Sequence, residues 1–323
     1  MRGRVTTIVA IAGALAMACP ALAGPALLFD MADGNVLYAE DHDTQWHPAS
    51  LTKIMTAYVT FVAIRDGTLT LETLIGCSKL ANSQGPTKVG LPVGATITVE
   101  AALQSLIMKS ANDVAVMLAE AVSGSHEAFV DYMNGTAGRL GMTRTKFANA
   151  NGLPDPEQVT TARDMAKLAA AVVRDFPQYA PMWSMLEMRI GKRRLHTHNG
   201  LLTNYAGADG MKTGFICDSG FNVVASATRA GHKLIAVVLG EATGQERSVR
   251  AAGLLEHGFR THRWKSLFTP RTLDNLPVDE SAKTSVTKPR RVISVVCGTG
   301  GRVAAKVKKT RDRDARSKAR GRR

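Results

Sequence analysis

Strand patterns stand at both ends of a long helical block, and this arrangement constrains the 323-residue chain more than any other feature. From Pro25 the residues read Ala26-Leu27-Leu28-Phe29-Asp30, then a turn at Asp33-Gly34-Asn35, then Val36-Leu37-Tyr38-Ala39, which is the pattern of a hairpin. Between positions 50 and 190 the character changes. Leu51 to Ile64, Val99 to Met108, Asp113 to Val122, His126 to Arg139 and Thr161 to Val173 all have helix-forming composition. Thr98 and Thr160 precede such runs as caps, and Glu100 and Asp164 fall where the positive end of a helix favours a carboxylate. After Asn199 strand patterns return at 210–215, 221–228 and 233–239, and a helix from Gln245 to His257 comes after them. This order predicts an α+β body. Both chain ends contribute to an antiparallel sheet of about five strands, with helices packed on it and a helical lobe beside it.

Composition supports a packed core, since 45% of residues are hydrophobic and the mean hydropathy is −0.04. The net charge of +14 is unevenly placed: positions 281–323 hold 15 Lys and Arg against only Asp312 and Asp314. With Arg2 and Arg4 also set aside, positions 24–280 carry about −1. The basic character therefore belongs to a tail, and no specific nucleic-acid partner is expected. Arg2 and Arg4 precede an apolar run, Ile8 to Cys19, and then Ala21-Leu22-Ala23, the layout of a signal peptide over 1–23 that directs export. No stretch reaches the ~20 apolar residues of a membrane span. Cleavage leaves Cys77, Cys217 and Cys297, an odd number, so at least one is unpaired or bridges to another chain, and spacing leaves the pairing open. Residues 24–262 are expected to form the folded domain, and 263–323 a linker and disordered basic tail.

Three segments carry chemistry. Ser50-Leu51-Thr52-Lys53 opens an apolar helix, and a spacing of three places the hydroxyl and the amine on one face. A buried lysine there can lose its proton and act as base toward the serine. Ser110-Ala111-Asn112 stands at a junction between two helices, where either polar residue could simply be a cap. Lys212-Thr213-Gly214 lies in a strand, where a cation and a hydroxyl would share a face and glycine would admit a ligand strand. Each segment alone is weak; the three in this order are not readily a coincidence.

With His47-Pro48-Ala49-Ser50, Ser110-Ala111-Asn112-Asp113, Asn151-Gly152-Leu153-Pro154, Thr160-Thr161-Ala162-Arg163-Asp164, Asp209 to Gly214 and Gly220 to Ala227, the chain resembles the serine penicillin-binding enzymes. Within them it is similar to the low-molecular-weight D-alanyl-D-alanine carboxypeptidases, over roughly 25–262. The resemblance implies a DD-peptidase/β-lactamase-like fold with Ser50 as nucleophile and Lys53 as its base. Ser110, Asn112 and Lys212 would bind substrate and shuttle protons, with Thr213 and Gly214 beside them. Backbone N–H groups of Ser50 and Phe215 would form an oxyanion hole. Arg247 falls where these enzymes keep an arginine for the substrate's terminal carboxylate. Peptidoglycan stem peptides and β-lactam antibiotics are the implied partners, on the periplasmic or cell-wall side of the membrane, and no metal or organic cofactor is implied.

Rival readings are a DD-endopeptidase, a β-lactamase, or a non-enzymatic wall-binding protein. No Glu-x-x-x-Asn pattern of the kind class A β-lactamases use for deacylation occurs between Ser110 and Lys212. Family members often add a β-rich domain and an anchoring amphipathic helix, whereas about sixty residues follow Arg263 here, without an apolar helical face. The tail could meet an anionic wall or membrane surface. His196 and His198 read as polar loop histidines, Met182, Met185 and Met188 as packing residues at helical spacing, and Cys217 as a small buried residue.

Overall fold

The long strands are near-continuous apolar runs, so their alternate side chains give two apolar faces, and both are covered. The computed structural model describes residues 24–191, 193–265, 271–286 and Cys297. Its strands are β1 (Ala26–Asp30), β2 (Val36–Glu40), β3 (Leu74–Gly76), β4 (Thr96–Thr98), β5 (Glu187–Ile190), β6 (Arg193–His196), β7 (Ala208–Ile216), β8 (Gly220–Arg229) and β9 (His232–Glu241). Five of them form one antiparallel sheet in the order β2-β1-β9-β8-β7, so the N-terminal hairpin pairs with the last strand, as expected of a sheet built from both ends. The short hairpins β3-β4 and β5-β6 stand apart.

The α-helices are α1 (Thr52–Arg65), α2 (Lys79–Ser83), α3 (Val99–Gln104), α4 (Asn112–Ser123), α5 (His126–Arg139), α6 (Ala162–Asp175), α7 (Ala180–Trp183), α8 (Leu201–Asn204) and α9 (Gly244–Lys265). Leu27, Phe29, Val224, Ile235 and Val237 join the helical block in the main core, through residues such as Phe61 and Leu168. The alternate set, Leu28, Val223, Ala225, Ala236 and Val238, packs on Ala251 and Leu255 of α9. The sheet is therefore a middle layer.

Several local expectations change. Thr161, not Thr160, caps α6 by accepting from Asp164 N at 3.1 Å, while Thr160 forms a bridge to Trp46. Met182 and Met188 are buried as packing residues, but on α7 and β5, so their spacing is not that of one helix. Cys217 is exposed and forms a disulfide with Cys297, while Cys77 is a buried free thiol.

The largest correction concerns the start of the expected disordered region. Val36 N donates to Arg271 O, Leu273 and Leu276 are buried in the main core, and Gln45 N donates to Lys283 O. Arg163 completes the attachment, donating to Leu276 O and Pro277 O at 2.7 Å each while pairing with Asp43 at 2.6 Å. Backbone acceptors, invisible in composition, hold this strap. The expected signal peptide, 1–23, and the tail from Gly298 onward lie outside the described residues.

Candidate active site

Ser50 occupies a single 3-10 turn, Ala49–Leu51, that runs directly into α1, and neither start has a side-chain cap. The capping explanation for Ser50 thus fails. One turn on, Lys53 Nζ lies 3.0 Å from Ser50 Oγ, donates to Asn112 Oδ1 at 2.7 Å, and is also held by Asn151 O. The Lys53 side chain is fully buried. Burial, and then the Lys212 cation, push the amine well below its ordinary pKa, and Asp113 opposes this only in part.

A π turn, Ser105–Lys109, ends the helix that begins with α3 and leaves Ser110 left-handed at φ 62°, ψ 37°. Ala111 is the N-cap of α4 and has no side-chain bond, so neither the Ser110 nor the Asn112 side chain serves as an N-cap. Asn112 Nδ2 instead donates to Gly85 O at 2.9 Å, which fixes the amide so that its oxygen faces Lys53. Lys212 Nζ donates to Ser110 Oγ at 3.0 Å and to Thr213 O at 2.9 Å. Burial, and then Arg247, lower its pKa to about 7. Lys212 and Thr213 do not share a face as expected, because neighbours on a strand alternate. Thr213 lines the cleft, while the buried Lys212 reaches Ser110.

Close approach of β7 to Ser50 explains Gly214. A Cβ there would lie 3.0 Å from Pro48 O and 3.1 Å from Ser50 N. Gly152 is still more constrained, with φ +82° and Ala49 O only 2.0 Å from where a Cβ would stand. Asn222 of β8 then ties the segment before Ser50 to the sheet, its Nδ2 donating to His47 O at 3.0 Å and its Oδ1 accepting from Gly240 N at 2.9 Å.

These elements enclose a cleft of about 460 Å³ lined by Ser50, Ser110, Asn112, Thr213, Phe215 and Arg247, among others, with no carboxylate among its lining residues. Phe215 stacks on Phe221 with ring centroids 4.2 Å apart. Arg247 is 9% exposed, and its Nε has no hydrogen-bond partner among the described residues. Burial lowers the guanidinium to about 10, which leaves it charged at neutral pH. The cleft therefore holds a serine beside an amine of weakened basicity, a second lysine–serine pair, and a buried cation open to an anion.

Every sequence-predicted site residue is at this cleft or hydrogen-bonded to a residue that lines it. Sequence reasoning gave no role to Asn151, which acts through its carbonyl, or to Asn222, whose only signals were their places in the Asn151 to Pro154 and Gly220 to Ala227 motifs, and it missed His198, which lines the cleft while His196 stands on exposed β6.

Residues 15–243 match the family model for D-alanyl-D-alanine carboxypeptidase, peptidase family S11. The chain belongs to this family. It is 38% identical over 241 residues to the D-alanyl-D-alanine carboxypeptidase DacC of Escherichia coli K12, covering 72% of this chain and 60% of that one. Identity to the DacA enzyme of Haemophilus influenzae is 35% over 266 residues, covering 80% and 68%. Among solved structures, this S11 family member resembles penicillin-binding protein 5 from Haemophilus influenzae, with a TM-score of 0.72, 36% identity and coverage of 74% and 71%. It also resembles the ampicillin-bound penicillin-binding protein D2 from Listeria monocytogenes, with a TM-score of 0.68, 28% identity and coverage of 73% and 97%. The S11 chain thus spans about 60% of the length of its Escherichia coli relative DacC.

Proposed function

We infer that this protein is a serine DD-carboxypeptidase that removes the terminal D-alanine from peptidoglycan stem pentapeptides and is acylated by β-lactams. The observation that carries this reading is the buried Lys53 amine 3.0 Å from Ser50 Oγ in a cleft that also presents Arg247. Unprotonated Lys53 accepts the Ser50 hydroxyl proton as Oγ attacks the carbonyl of the penultimate D-alanine. The N–H groups of Ser50 and Phe215 receive the oxyanion. The amide C–N bond breaks, the proton that Lys53 took from Ser50 reaches the leaving amine by way of Ser110, with Lys212 beside it, and D-alanine departs. Water then attacks the ester carbonyl, its proton passes through Lys53 to Ser50 Oγ as the C–O bond breaks, and the shortened peptide leaves as the free acid.

Arg247 favours the carboxypeptidase over the endopeptidase reading, because a buried guanidinium suits a free terminal carboxylate. The signal-peptide layout of 1–23 supports a reaction on the cell-wall side of the cytoplasmic membrane, and among the described residues no helix is long and apolar enough to cross a membrane. Two measurements test the proposal: the masses of products from a D-Ala-D-Ala pentapeptide, and the site and lifetime of a penicillin adduct. Loss of one alanine and a slowly released adduct on Ser50 are expected. Rapid penicillin turnover without an adduct would favour a β-lactamase, and an adduct on another serine would overturn the assignment.

A further inference from the structure

The reaction proposed above draws on the polar groups of the cleft and leaves an apolar shelf without a task. Phe215 and Phe221 both line the cleft and face each other across β7 and β8, with ring centroids 4.2 Å apart. Phe215 is nevertheless 37% exposed, so the stack leaves much of the residue open to the cleft. The borders of the shelf limit what can lie on it. At one end Phe215 follows Gly214, whose missing side chain lets β7 abut Ser50 N. At the other end is Gly244, the first residue of α9: a Cβ there would lie 3.6 Å from the Phe221 ring and 3.9 Å from Arg247 Nη2. Glycine thus keeps a gap open between the ring and the guanidinium.

A peptide whose scissile amide is at Ser50 and whose terminal carboxylate is at Arg247 lays its last residue along this shelf. The methyl group of alanine is too small to cover two rings, and a cleft of about 460 Å³ falls in the range that takes far larger ligands. We propose that the Phe215–Phe221 shelf, opened by Gly244, is a subsite for the side chain of the departing D-residue, and that it admits stem peptides ending in apolar D-amino acids larger than alanine, of the size of D-leucine. This rests on the carboxypeptidase reading above and deepens it, since the bond cleaved and the proton path are the same. An apolar side chain gains by covering the rings, whereas a polar one of the same shape would lose water there without finding a hydrogen-bond partner on the shelf.

The test uses pentapeptides that differ only in ending with D-alanine, D-leucine or D-asparagine. D-Leucine and D-asparagine have nearly the same shape, so the ratio of their rates reads polarity rather than size. Wild type, Phe215→Ala, Phe215→Leu and Gly244→Leu are compared by kcat/KM, with thermal melting to show that each is folded. Wild type should cleave the D-leucine peptide at least as well as the D-alanine peptide and roughly tenfold better than the D-asparagine peptide, the scale of discrimination an apolar pocket provides. In Phe215→Ala the leucine-to-asparagine ratio should fall by roughly the same factor, and Phe215→Leu should retain most of it. Gly244→Leu fills the gap and should lower the D-leucine rate relative to the D-alanine rate; if that variant does not fold, the two Phe215 variants decide the matter. Cleavage of the D-alanine peptide with no preference for D-leucine over D-asparagine would overturn the subsite and leave the carboxypeptidase standing. A loss in Phe215→Ala that is equal on all three peptides would put the shelf on the acyl side of the bond and overturn the subsite as well. Failure of wild type to cleave the D-alanine peptide would instead bring down the functional reading, and the subsite with it.

Discussion

Lys53 shows how much one residue can depend on its neighbours. The spacing Ser50 to Lys53 was legible because a helix places residues three apart on one face. Asn151, which helps to hold the amine, was not, since any residue can offer a carbonyl. Because burial and Lys212 keep Lys53 well below its ordinary pKa of 10.5, its basic form is populated far sooner than in water. The acid limb of kcat/KM on pentapeptide should therefore rise with pH and level off long before pH 10.5. A rate still climbing there would remove Lys53 as the base. Arg247 was legible only through the family resemblance; by composition it belongs to a helix surface. Replacing it with alanine should cost kcat/KM on pentapeptide on the order of 1.5–3 kcal/mol, the worth of a hydrogen bond to a charged group, and should abolish the preference for the acid over its C-terminal amide. Equal wild-type rates on acid and amide would exclude Arg247 from recognition.

Among elements, those with long periodic runs were legible and those held by isolated polar contacts were not. The main helices and strands fell close to their expected places, whereas β3 to β6, at three or four residues each, are too short to show a period. The strap at 271–283 escaped for another reason: it buries few apolar side chains and is fixed by Arg163 and Asp43, far away in sequence. A chain ending at Pro270 should consequently melt at a lower temperature than one ending at Val286, and equal melting points would show the strap to be incidental. Arg163→Leu leaves the buried Asp43 unpaired and should destabilise by about 3–5 kcal/mol in denaturant titration. Acid should loosen the same attachment. Burial holds the His42 pKa below 6.5, so the folded state takes up its proton less readily than the unfolded chain, and the stability this provides above pH 6.5 declines as pH falls through that value. For Asp43, burial raises the carboxyl but Arg163 and Asp279 N outweigh it, so a second loss sets in below about pH 4. Both losses should shrink in Arg163→Leu.

At the scale of the whole molecule, the order of strand and helix patterns was enough to foresee a sheet shared between the two ends, because a hairpin with no partner nearby must pair with strands found later in the chain. That β1 sits between β2 and β9 was not foreseen, since register and neighbour are set by packing on α9 and the helical block. The arrangement has a consequence for timing. Ser50 leaves the ribosome early, yet its turn is pressed into shape by Gly214 and tied by Asn222, and β1 waits for β9 to fill the middle of the sheet. A nascent chain halted before Gly220 should carry Ser50 and remain inert to fluorescent penicillin, while one extended through Val286 should take up the label. Penicillin would then act as a stopwatch for chain completion, marking the moment the last strand slots between its older neighbours.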